Sequence, residues 1–283
     1  LIMNLKKPKF WDYKKPNIFA YFLYPVSFLV KLLSYLNSKT NRTKVKIKTI
    51  CVGNIYVGGT GKTSLSIKIN EILQRKKIRS CFIKKFYKKQ HDEQKLLEKK
   101  GKLFLSSKRT KAILQAENED YEVAIFDDGL QDYSIDYDIK FVCFNNINWK
   151  GNGMIIPAGP LREEFTNLKK YENIFLNGNL ENIDLIKKEI LEVNPNITIH
   201  IGKYEPINLD KFDKEKEYLV FSGIGNHKTF VDMLINCGLN ISKHIEFPDH
   251  HNYTDKEIKI ILKTAINLNC KIITTEKDYF RIK

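Results

Sequence analysis

The sequence predicts an α/β fold, a mostly parallel sheet with helices on both faces, preceded by an apolar helix and followed by a second, smaller α/β unit. Three observations carry this. Short β-branched runs alternate with helix-length segments from residue 49 onward, the pattern of βα units and parallel strands. A glycine-rich turn joins the first of those strands to the first of those helices. A polar stretch without periodicity, 202–216, interrupts the alternation, which then restarts. The larger unit is therefore expected over 1–205 and the smaller over 206–283.

In chain order, residues 17–36 come first as the most apolar segment, with Lys31 its only charge and basic residues at both ends. About 20 apolar residues just span a bilayer, but Pro25 and Lys31 weaken a spanning reading, and Tyr21, Tyr24 and Tyr35 suit an interface. An interfacial or shallowly inserted helix is expected, with a buried core helix or a true span as alternatives. No small-residue cleavage site follows it, so it is not read as a signal peptide.

The organising stretch is 49–69. Ile50-Cys51-Val52 is a short apolar strand, and Gly58-Gly59-Thr60-Gly61-Lys62-Thr63 leads into a helix-length segment ending near Lys76. Such a loop offers backbone N–H groups and the positive end of a helix to phosphate oxygens. Lys62 is expected on the β/γ-phosphates and the Thr63 hydroxyl on Mg²⁺. The contacts of a P-loop NTPase-like site then run over Tyr56, Val57, Gly58, Gly59, Thr60, Gly61, Lys62 and Thr63. Tyr56 occupies the place where the strict pattern has glycine.

Strands follow at 79–84, 102–106 and 121–127, with helices at 92–100 and 109–117 between them. The third of these strands ends in Asp127-Asp128. Two acids there are costly unless a metal or donors satisfy them, and strand carboxyl ends are where α/β sheets place ligands. A strand at 138–144, a loop at 151–164, a strand at 173–177 and a helix near 181–193 complete the larger unit. Beyond the junction come strands 217–222, 241–247 and 270–275 with helices 227–237 and 254–268.

Composition narrows the class. The net charge of +15 invites an anionic partner. The excess is almost all lysine, however, and no aromatic-interleaved basic motif points to nucleic acid. Five cysteines without CxxC spacing argue against a disulfide framework or a structural zinc site.

Other polar groupings carry two readings each. His91-Asp92-Glu93 reads, from the residues alone, as a helix cap. Arg162-Glu163-Glu164, behind Pro157-Ala158-Gly159-Pro160, is either a phosphate clamp or a surface ion pair. Pro248-Asp249-His250-His251 suits proton handling or metal binding, though no third and fourth ligand at zinc spacing accompanies it, and Thr274–Asp278 either binds phosphate or caps a helix.

Together these runs resemble the tetraacyldisaccharide 4′-kinase family. The matching segments are VGNIYVGGTGKTS (52–64), DEQKLL (92–97), DDGLQD (127–132), GNGMIIPAGPLRE (151–163), FSGIGN (221–226), FPDHHNYT (247–254) and TTEKD (274–278), in the family's order and over nearly the whole chain. The resemblance implies a kinase of lipid A biosynthesis that uses ATP and Mg²⁺ to phosphorylate the 4′-hydroxyl of a tetraacyldisaccharide 1-phosphate. It implies a peripheral or shallowly inserted enzyme on the cytoplasmic face of the bacterial inner membrane, drawn to an anionic membrane surface and expected to be monomeric. On that pattern Asp92 is the base on the sugar hydroxyl and His250, or His251 in its place, orients it. Thr63, Asp127 and Asp128 serve the metal, with Glu93, Gln131, Arg162 and Glu163 supporting them.

The chain departs from the family pattern at Lys84-Lys85-Phe86-Tyr87, where Ser-Arg-Gly-Tyr is usual, at His91 for glycine, at Asp132 for histidine and at His227 for proline. The linker ahead of Asp92 is short, and the resemblance leaves room for a terminal element beyond the last residue. Two rival readings are a regulatory P-loop ATPase of the partitioning or metal-insertion type and a non-catalytic membrane-bound binding module. Val57 stands where the partitioning type carries a signature lysine.

Overall fold

A computed structural model describes residues 7–39, 42–87, 91–206 and 208–282. Part of the linker ahead of Asp92 and the chain's last residue lie outside them. The larger sheet has seven parallel strands: β1 Lys48–Gly53, β2 Ser80–Lys85, β3 Leu103–Ser106, β4 Val123–Asp127, β5 Ile139–Asn145, β6 Asn173–Asn177 and β7 Thr198–Ile201, in the order β3-β2-β4-β1-β5-β6-β7. Strand β1 lies between β4 and β5, with Val52 paired to Asp127 on one side and Phe141 on the other. The chain leaves β1 to build one half of the sheet, then returns past it to build the other. The crevice beyond the carboxyl ends of β1 and β4 is thus a topological switch point, where such sheets bind ligands.

Alternation along the strands assigns the two faces. Cys51, Cys81, Ile83, Ala124, Phe126, Val142 and Phe144 share one core with Ala112, Ile113 and Ala116 of α4 Arg109–Asn118 and with Ile186 and Ile190 of α5 Ile183–Val193. Val52, Phe82, Ile125 and Cys143 form the other, against Leu65, Ile69 and Leu73 of α2 Lys62–Arg75 and Leu97 of α3 His91–Lys100. Both faces are covered, which is why these strands read as continuous apolar runs. All five cysteines are free thiols.

The second sheet is parallel and three-stranded: β8 Glu217–Ser222, β9 Asn240–Glu246 and β10 Lys271–Ile273, in the order β10-β8-β9. It carries α6 His227–Asn236, α7 Asp255–Asn267 and the single turn α8 Glu276–Tyr279. Thr254 and Glu257 form a reciprocal capping box on α7.

Two expectations change. Strand β7 is absent from the sequence reading, because four residues at a sheet edge, half exposed, carry too little pattern. The strand expected over 270–275 stops at Ile273, because Thr274 donates to the Phe221 carbonyl and Thr275 caps α8.

The apolar segment is α1 Ile18–Asn37, capped by Asn17 and continuous through Pro25. It is not a core helix, since only Ala20 and Ser27 are buried. Phe22 is 82% exposed, and Phe19, Leu29 and Leu33 are also exposed. It is the one helix among the described residues long and apolar enough to cross a membrane. Its polar side docks: Ser27 Oγ donates to the Ile155 carbonyl (2.8 Å) and accepts from the Ala158 N–H (3.1 Å), and Lys31 pairs with Glu164.

Candidate active site

The glycine turn is held open from below. Buried Asn54 reaches across it, its Nδ2 donating to Thr60 Oγ1 (2.8 Å) and the Gly58 carbonyl (3.3 Å). Asn177, at the end of β6, donates to the Thr60 carbonyl at 2.8 Å. Gly58 (φ +135°) and Gly61 (φ +80°) take backbone conformations that side chains oppose. A Cβ on Gly61 would also strike Asn177 Nδ2 at 2.7 Å. Lys62 and Thr63 then open α2 and face a cleft of about 1010 Å³ between the loop and the second sheet. Val57 to Thr63 line that cleft and Tyr56 does not. The Tyr56 ring packs into the core and its hydroxyl donates to Asp12 (3.2 Å), so its side chain is no nucleotide contact.

The acidic pair divides its work. Asp127 is fully buried behind the loop. Its Oδ2 receives Thr63 Oγ1 (3.3 Å) and the Lys84 ammonium (2.6 Å), and its Oδ1 receives Ser66 Oγ (3.4 Å). Asp128, at φ +60°, turns into the cleft, where Arg162 Nη1 donates to it at 2.8 Å. Burial pushes its carboxyl up, but Lys62 and Arg162 outweigh that and hold it at about 2. Arg162 also donates to Gln131 (3.1 Å), whose amide donates to Glu163 (2.8 Å) and the Asn54 carbonyl (3.0 Å). Tyr171 and Asn167 donate to Glu163. The Arg162 N–H binds the Ile55 carbonyl (2.7 Å), so the Pro-rich loop is bolted to the glycine turn.

This donor set fits a hard divalent cation in a restricted way. Thr63 and Asp128 line the cleft and are the hydroxyl and carboxylate that could meet such an ion, beside phosphate and water oxygens. Asp127, expected as a third ligand, is already neutralised by Lys84 and serves Thr63 from behind.

A second cluster forms where α3 meets the smaller sheet. Asp92 is buried between Arg281, which donates to its Oδ2, and His250, whose Nδ1 lies 3.4 Å from its Oδ1. Burial raises the Asp92 carboxyl, yet the hydrogen bonds and charge of His250 and Arg281 bring it down to about 2. Burial lowers the His250 imidazolium, and the bond to Asp92 more than reverses it. Arg281 is itself seated on Asp278 (2.9 Å) and the Gly223 carbonyl. Asp278 is buried among the Gly223 N–H, Tyr253 and Thr275. His251 points elsewhere, stacked on Phe247 and bonded to Glu257 (3.1 Å), so His250 is the histidine of the cleft. Glu93 lies between Lys84 and Lys277, each at 2.8 Å.

The cap reading of Asp92-Glu93 fails, since both side chains reach across to other elements. Sequence reasoning missed the pairing of Lys84 and the role of Arg281. The first left a trace, a lysine directly after the apolar run 81–83. The second left none, because only the packing of the chain end against α3 brings Arg281 to Asp92.

Comparison with known proteins gives one consistent result. Residues 19–283 match the family described as Tetraacyldisaccharide-1-P 4′-kinase. The chain is 59% identical over 281 residues to a tetraacyldisaccharide 4′-kinase of Pelagibacter ubique, covering 99% of this chain and 90% of that one. It is 34% identical over 304 residues to the corresponding protein of Rickettsia akari, covering 99% and 89%. In fold it is similar to the structure of LpxK from Aquifex aeolicus in complex with ATP, with a TM-score of 0.64 and 23% identity over 94% of this chain and 90% of that one.

Proposed function

The chain belongs to the tetraacyldisaccharide-1-P 4′-kinase family, and from that premise we propose that it transfers the γ-phosphoryl group of ATP to the 4′-hydroxyl of a tetraacyldisaccharide 1-phosphate. The products are ADP and the 4′-phosphorylated lipid. The observation that carries the reading is that Lys62, Thr63 and Asp128 share one cleft with His250, whose Nδ1 is paired with buried Asp92. A regulatory ATPase has no use for an acceptor-side acid and histidine delivered by separate units.

In this reading residues 1–205 and 206–283 are the two domains, with the cleft between them. The N–H groups of the glycine turn and Lys62 hold the phosphates, and Arg162 meets the charge that develops on the transferring group. Thr63 and Asp128 would hold Mg²⁺, which supplies charge neutralisation across the phosphate oxygens. Asp92 is ionised at neutral pH and accepts a hydrogen bond from the sugar hydroxyl, setting its oxygen in line with phosphorus. A carboxylate with so low a pKa is a weak base. A loose transition state asks little basicity of it until the new O–P bond is well formed. As that bond forms and the bond from phosphorus to the bridging oxygen of ADP breaks, the hydroxyl proton passes to the Asp92–His250 pair. Helix α1 would seat its apolar face in the cytoplasmic leaflet of the bacterial inner membrane, with surrounding lysines on anionic headgroups and the enzyme acting as a monomer.

The test is transfer of labelled γ-phosphate to the lipid in detergent micelles by wild type, Lys62→Ala and Asp92→Ala. Labelled lipid from wild type and large losses in both variants are expected. Lipid-independent ATP hydrolysis without labelled lipid would overturn the reading.

A further inference from the structure

Lys84 has no place in the mechanism just given. It stands next to the last residue of β2, behind Cys81-Phe82-Ile83, and only 2% of it is exposed. A buried ammonium persists only when paired. Its partners are Asp127 Oδ2 at 2.6 Å and Glu93 Oε2 at 2.8 Å.

Both partners lead onward. The Asp127 oxygen also receives Thr63 Oγ1, and the other oxygen of Glu93 receives Lys277. An unbroken polar chain therefore runs Thr63–Asp127–Lys84–Glu93–Lys277, from the nucleotide loop past the strand ends to α8. Glu93 is the immediate neighbour of Asp92 in the first turn of α3. That helix is ten residues long, and its polar N-terminal turn has little apolar burial, so side-chain bonds set its position. Without Lys84, Glu93 would be drawn by Lys277 alone, and the carboxylates of Asp127 and Glu93 would face each other across the vacated space.

We propose that Lys84 is a positioning residue for phosphoryl transfer, fixing Glu93, and through it the first turn of α3 with Asp92, relative to Thr63 and the nucleotide loop. This rests on the kinase reading above and on Asp92 as the group that receives the acceptor hydroxyl.

The experiment compares wild type, Lys84→Met, Glu93→Gln and the double variant. Three quantities are measured: nucleotide affinity without acceptor, kcat and KM with MgATP and the lipid, and hydrogen exchange over 91–97. Lys84→Met is expected to bind nucleotide within about threefold of wild type while kcat falls about 100-fold, the scale of an ångström-sized misplacement. Exchange in the first turn of α3 should rise while α2 stays protected. The double variant should be no worse than Lys84→Met, because both changes cut one link.

A folded Lys84→Met with wild-type kcat overturns the proposal, as does a loss found wholly in nucleotide affinity, or losses that simply add. A purely structural role would lower the melting temperature and leave kcat intact below it. Should Lys84→Met fail to fold, the double variant removes one charge of each sign and decides the matter, since wild-type kcat there overturns the proposal. Absence of lipid phosphorylation by wild type would strike the kinase reading instead, so the two failures are distinct.

Discussion

Gly225→Ala offers a direct test of whether the closed contact between the two sheets matters for turnover. Gly225 lies in the turn between β8 and α6, and its Cα faces the backbone of Gly59 in the nucleotide loop. A Cβ there would lie 2.7 Å from Gly59 Cα, closer still to Gly59 N, and 2.9 Å from Asp249 Oδ2. Carbon atoms rest at about 3.5–4.0 Å, so the two turns must separate by roughly 1 Å. The Gly59 contacts are backbone, so no side-chain rotation relieves them, whatever Asp249 does. His250 moves with the turn, because its N–H is bonded to the Gly223 carbonyl at 3.1 Å. The Asp92–His250 separation of 3.4 Å then opens to beyond ion-pair reach. A misplacement of that size costs about 100-fold in rate, or about 2.7 kcal/mol. The assay is steady-state lipid phosphorylation beside calorimetric nucleotide binding and a melting curve. The expected outcome is a folded protein with kcat reduced on that scale. A folded Gly225→Ala with kcat within about threefold of wild type, under about 1 kcal/mol, would refute the argument that this contact sets the geometry.

Further outcomes follow from the same geometry. Arg281→Met removes a cation that helps hold Asp92 at about 2, against an ordinary value of 3.8. The Asp92 pKa must rise, and the acid limb of kcat/KM should move to higher pH; an unmoved limb would separate Arg281 from the base. A folded-state pKa below the unfolded one also means that Asp92 stabilises the fold above about pH 4, a contribution lost as pH falls towards 2. Melting in acid should therefore lose less in Asp92→Asn than in wild type. Gly61→Ala combines a left-handed backbone position with a clash against Asn177 and Tyr204, and nucleotide affinity should fall by at least about tenfold, over 1.4 kcal/mol. Replacing exposed Phe22, Leu29 and Leu33 of α1 by serine removes side chains worth about 1.5–3 kcal/mol each when buried. Flotation with anionic vesicles should drop while turnover of a detergent-dispersed lipid changes little.

The exposure of α1 was not legible in the residues alone, but its apolar run, the alternating strands and helices, the glycine turn and the acidic end of β4 were. Each rests on local rules, namely period-two and period-3.6 patterns, glycine's access to positive φ, and the cost of acids at the end of an apolar strand. The edge strand β7 escaped because four half-exposed residues carry no such pattern. Only the tertiary structure decided what each polar side chain touches. Asp127 turned from metal ligand to support because Lys84, 43 residues before it, is folded against it. The Tyr56 side chain stays out of the cleft because its ring found the core. His250 was separated from His251 by which of them faces α3. Arg281 reached Asp92 across 189 residues of chain. Pairings over such separations are set by how the two sheets pack, and a charged side chain carries no local mark of the partner that will neutralise it.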